Sequence, residues 1–100
     1  MSGSLCRLIE QYSNLILAME DDCNFDPKWL CFYRIQMTVW IMSRAGFCDN
    51  TAMAHETYEK IRTAWIDLSR YLESGKFTIS NLGQLCATVD LGFADCNDSK

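Results

Sequence analysis

The chain holds a single histidine, a single proline and no run of lysines or arginines. Without a basic stripe it lacks the electrostatic footprint of a nucleic-acid binder, so no direct nucleic-acid contact is expected. No Cys-x-x-Cys pair occurs, and the six cysteines (Cys6, Cys23, Cys31, Cys48, Cys86 and Cys96) are widely spaced. Zinc wants four ligands, usually in close pairs, so no metal ligand is assigned. A disulfide framework goes with small, loop-rich secreted chains, whereas this sequence reads as long helices. Reduced thiols are therefore expected, with Cys86 on a buried face and Cys23, Cys48 and Cys96 in loops. The five glycines fall at chain ends, turns and one helix and make no phosphate-binding loop.

Long apolar runs are also missing. The longest, from Trp29 to Met42, contains Arg34 and Gln36 and is too short to span a bilayer. Arg7, Glu10 and Gln11 interrupt the first residues where a secretion signal would be apolar. A cytoplasmic protein with no membrane partner is expected.

What remains is the composition of one globular domain. Half of the 100 residues are hydrophobic, and a chain of this size buries roughly two-thirds of its unfolded surface. The net charge is −4. Glu20, Asp21, Asp22 and Asp26 form one acidic group, and Asp90, Asp95 and Asp98 another. Such groups serve solubility and helix ends, or form a patch that meets a basic partner.

Four helices are predicted. In the first, from about Ser4 to Glu20, Leu5, Leu8, Ile9, Tyr12, Leu15, Ile16 and Met19 share one face. Its acidic end opposes the helix dipole. The second opens on an Asp26 N-cap with Pro27 at the first helical position. Arg44 near its end suits the dipole, and Gly46 is positioned for a left-handed stop. This helix is apolar on two sides. Trp29, Leu30, Tyr33, Met37, Trp40 and Ile41 form one arc; Cys31, Phe32, Ile35, Val39 and Met42 form the other. It is either the central helix of the bundle, or its second face meets a partner.

The third helix, from about Thr51 to Leu72, buries Ala54, Tyr58, Ile61, Trp65, Leu68 and Leu72. It leaves Glu56, Glu59, Lys60, Thr63, Asp67 and Arg70 on a polar face. The fourth runs from about Ile79 to Leu91, with Thr78 as N-cap, Asn81 at the third helical position and Phe77 stapled on Leu82. Leu82, Leu85, Cys86 and Val89 form its buried face, Gly83 and Ala87 allow close approach beside it, and Gly92 provides the stop. The tail from about 93 to 100 is polar and expected to be mobile. An extra short turn is expected near Asn50 or Ser74. The fold class is all-α, a four-helix bundle-like single domain.

The stretch from Tyr71 to Phe93 contains a helix ending in a leucine-rich turn, then Thr78-Ile79, then Leu82 in a helix of small and apolar residues. It resembles the core of the C-terminal helical domain of bacterial glutathione S-transferases. That family usually carries Asp where this chain has Asn81. The resemblance covers about a quarter of the chain and implies an orphan helical domain, because the thioredoxin-like catalytic domain of the family has no counterpart here.

No catalytic or cofactor-binding residue is assigned. His55 lies on the polar side of the third helix with no cysteine and orienting group to form a nucleophilic pair. Asp21, Asp22 and Asp26 lie where solvent and backbone N–H groups explain them. The aromatics are many for so small a chain, and some suit interface anchors. The candidate protein-binding residues are Phe32, Arg34, Ile35, Val39 and Ile66, with Asp21 and Asp22 in the acidic loop and Leu17 as a further candidate anchor. The expected function is a non-enzymatic regulator or inhibitor that binds another protein or protein complex. In size and charge the chain is similar to blockers of bacterial defence complexes carried by phages or mobile elements, anti-CRISPR proteins among them. The alternatives are a homodimeric helical module and the orphan transferase-like domain.

Overall fold

A computed structural model of the chain describes residues 2–22, 24–48, 50–75, 77 and 80–98. They form four helices and no strand: α1 (Ser2–Met19), α2 (Pro27–Ser43), α3 (Thr51–Ser74) and α4 (Leu82–Asp98), with a 3-10 turn at Arg44–Cys48 between α2 and α3. The all-α, four-helix bundle-like architecture read from the sequence is the one observed.

The predicted face of α1 is the buried one. Leu5, Leu8, Tyr12, Leu15, Ile16 and Met19 are fully removed from solvent, and Ile9 all but so. This helix, and not α2, is the central one. It packs on α2, α3, α4 and the 3-10 turn, most extensively on α4 and α2. The molecule measures 40 × 24 × 17 Å along its principal axes, so its thin direction holds about two helix layers. With α1 in the middle of so flat a body, α2 is covered from one side only.

Local chemistry fixes the helix ends. Lys28 N–H donates to Asp26 Oδ1 at 2.9 Å, the N-cap expected from Asp26-Pro27. Tyr71 Oη accepts from the Asp26 N–H at 3.1 Å and ties the start of α2 to the end of α3. Asn50 caps α3 by accepting from Met53 N–H at 2.9 Å. Gly46 is not a left-handed stop, since no described glycine has a positive φ. The chain instead tightens into the 3-10 turn, whose shorter bonds take up the last carbonyls of α2.

The fourth helix departs furthest from expectation. Thr78 and Ile79 lie outside the described residues. Asn81 is not the third helical position; its carbonyl accepts from Leu85 N–H at 3.0 Å, which places it at the start of the helix. Phe77 packs on Phe25 and Tyr71, with ring centroids 6.0 and 5.6 Å apart. At the other end the helix runs through Gly92 to Asp98, so residues 93–98 are helical and not a loose tail. Cys96 is buried within this helix, not in a loop. Gly92 is a contact position and not a stop: a Cβ there would overlap Gln11 Oε1 and lie 2.9 Å from Leu8 Cδ1. The close approach expected at Gly83 occurs here instead, since a Cβ on Gly83 would meet nothing. Trp65 Nε1–H donates to Asp90 Oδ1 at 2.9 Å and joins α3 to α4.

Tyr12 stands at the centre of the core. Tyr33, Trp40 and Trp65 meet it edge-on, with ring centroids at 6.5, 5.6 and 6.4 Å. Its hydroxyl is buried with no hydrogen-bond partner. Burial first, and Tyr33 second, push its pKa well above the ordinary tyrosine value.

Gly92→Val forces α1 and α4 apart and lowers stability by about 1–3 kcal/mol in urea denaturation, with the helical circular-dichroism signal retained. Tyr12 has a folded pKa above its unfolded value of 10.0, so its contribution is complete below that pH and is lost as pH rises through the folded pKa. Tyr12→Phe is therefore expected to be neutral or stabilising by up to about 1 kcal/mol at about pH 7. Its loss of stability between about pH 9 and pH 11 should be smaller than that of the unmodified chain.

Candidate protein-binding surface

The arcs of α2 have opposite fates. Tyr33, Met37 and Trp40 turn inward and are buried. The second arc faces solvent: Phe32 is 53% exposed, Ile35 61%, Val39 54% and Met42 79%. Together with the edge of Trp29, 38% exposed, they put a run of large apolar side chains in water on this side of α2. By contrast, Leu17, Ile66 and Leu91 are exposed on three other helices.

Two hollows flank the ridge made by Ile35 and Val39. One, of about 540 Å³, is lined by α2 alone, including Leu30, Cys31, Arg34 and Thr38. The larger, of about 790 Å³, is a groove between α2 and α3. Trp29, Phe32, Ile35 and Val39 form its apolar side, and Tyr33, Trp40 and Ala64 lie deeper. The α3 side is polar: Glu56, Glu59, Lys60, Thr63 and Asp67. At one end of the groove Trp29 stacks between Tyr33 and Tyr71, with centroids at 5.9 and 5.4 Å.

Charge is distributed unequally across the groove. Helix α2 carries Lys28 and Arg34 and no acid. Arg34 Nε donates to Glu20 Oε1 at 3.0 Å, a solvent-exposed pair of small energetic weight. On α3, Lys60 pairs with Glu56 at 3.2 Å, and no ion pair is formed by Glu59 or Asp67 among the described residues. The Tyr33 phenol is pushed up to about 12, by burial first and then by the negative charge of Asp67.

The structure brings Phe32, Ile35 and Val39 into one surface and places Arg34 on its rim. Ile66 is exposed but does not line the groove. Asp21 is exposed, whereas Asp22 is 4% exposed and is withdrawn as a contact residue. Its Oδ1 accepts from Asn24 N–H at 2.9 Å, and its carbonyl accepts from Phe25 N–H, so it shapes the turn between α1 and α2. The α3 wall was not legible as a site: Glu56, Glu59, Thr63 and Asp67 read as an ordinary solvated face. Their shared side, set at three- and four-residue spacing, was the available signal.

No family model matches the chain, and no curated protein or solved structure matches it.

Among the described residues, no three His, Cys, Asp or Glu side chains are grouped to hold a metal. His55 is exposed on α3. Cys6, Cys31, Cys86 and Cys96 are free thiols. Burial, with Asp90 and Asp95 respectively, pushes the Cys86 and Cys96 thiols up and away from the reactive thiolate. Among the described residues, no helix is long and apolar enough to cross a membrane.

Asp22→Ala removes the side-chain acceptor of the turn and should cost about 1 kcal/mol in urea denaturation, while Asp21→Ala should change stability by less than about 0.5 kcal/mol.

Proposed function

We propose that this chain is a non-enzymatic cytoplasmic protein that binds another protein or protein complex stoichiometrically, as a regulator or inhibitor. The observation that carries the reading is the uncovered apolar face of α2. This side of one helix retains the composition of an interior while facing water, the composition found at the buried centre of protein interfaces. Phe32 and Arg34 belong to residue types suited to anchoring an interface. Blockers of bacterial defence complexes carried by phages or mobile elements, anti-CRISPR proteins among them, are the class we place first, on the chain's size and acidity.

A homodimer through the same face is the second reading. It is favoured by the uncharged Gln36, Thr38 and Ser43 beside the ridge, which share those flanks with Arg34.

Affinity capture from the native host with the unmodified chain, Phe32→Ala and Val39→Glu tests the first reading. The same protein should be retained by the unmodified chain, at least tenfold less by Phe32→Ala (about 1.4 kcal/mol or more) and not at all by Val39→Glu. All three should show the same helical circular dichroism. Equal retention by all three would remove α2 from the binding surface, and dissociation of a dimer by Val39→Glu in sedimentation would favour the second reading.

A further inference from the structure

The groove between α2 and α3 has the shape and charge to select one kind of occupant. Its α2 side presents Phe32, Ile35 and Val39, and Met42 continues the line. These positions are spaced three, four and three residues apart, the repeat by which one helix receives the side chains of another. The groove runs from Trp29 to Val39 along α2, which is about 15 Å or three helical turns. The described residues contain no strand to extend, so an added β-strand finds no edge. The α3 side supplies three carboxylates, Glu56, Glu59 and Asp67, against one ammonium, Lys60, which is engaged by Glu56. Gln36 lines the same groove and adds no charge to it.

We infer that this groove binds a basic amphipathic helix of about three turns from a partner protein. Its apolar side lies on Phe32, Ile35 and Val39, and its lysines or arginines run along Glu59 and Asp67. The inference rests on the protein-binding function proposed above and names the chemistry of the partner. A second copy of the chain fits less well. The protein carries a net charge of −4, and a two-fold pair closed through this groove places two acidic α3 walls around one seam.

The test uses synthetic 14-residue helical peptides as probes. One has leucines at i, i+3, i+4, i+7 and i+11 with lysines beside them; the other replaces every lysine with glutamate. Binding to the full chain is followed by tryptophan emission, to which Trp29 and Trp40 of the groove contribute beside Trp65, and by calorimetry, at low and high salt. The lysine peptide is expected to bind at least about tenfold more tightly than the glutamate peptide, with the difference shrinking at high salt. In the doubly exchanged variant Glu59→Lys, Asp67→Lys, both positions being exposed on α3, the preference should invert. In Val39→Glu neither peptide should bind. Equal affinity for the two peptides, no binding of either, or an unchanged preference in the exchanged variant overturns the inference. So does a concentration-dependent dimer that Val39→Glu dissolves. If host capture is lost in Val39→Glu but is unchanged in the exchanged variant, the surface is right and the basic occupant is wrong. If capture is the same in both, the protein-binding function itself fails at this face.

Discussion

Everything in this fold is organised by the apolar face of α1. Seven large side chains on that face are sealed from water, and the other three helices all pack on it. Burying such side chains is worth about 1.5–3 kcal/mol each before ordering costs, so the placement of the remaining helices follows from covering this one stripe. The consequence for α2 is geometric. A helix attached to a central neighbour in so thin a body has one covered side, and its second apolar arc is left facing water.

The chain shows clearly where periodicity is sufficient and where it is not. The buried faces of α1 and α3 were legible because polar residues bound a single apolar stripe. The start of α2 was legible because Asp26 and Pro27 each solve a local problem of backbone hydrogen bonding. The two arcs of α2 were also visible, but both are apolar, and only its tertiary neighbours decide which one is covered. Gly92 was misread for a related reason. Glycine near an expected helix end suggests a stop, whereas here the helix continues and the missing side chain admits the turn of α1 that carries Leu8 and Gln11. Asp22 carries the same charge as Asp21, and only the path of the turn shows that one is buried and the other is not.

The polar wall of α3 illustrates a different limit. Its charged residues have the spacing of a solvated helix face, and they are solvated. What sets them apart is their position across a groove from hydrophobic side chains on another helix. A one-dimensional pattern contains no record of that juxtaposition. The pairing of greasy and acidic walls emerges only when α2 and α3 are placed together beside α1.

The hydrogen bond between Tyr71 and Asp26, with the stack of Trp29 on Tyr71, fastens one end of the cleft. The short 3-10 segment joins the two helices covalently at the other. The restraints on the width of the cleft therefore lie at its two ends. For the proposed partner helix, a cleft tied at its ends would act as a preformed receptor, and discrimination would fall on the contour and polarity of the incoming surface.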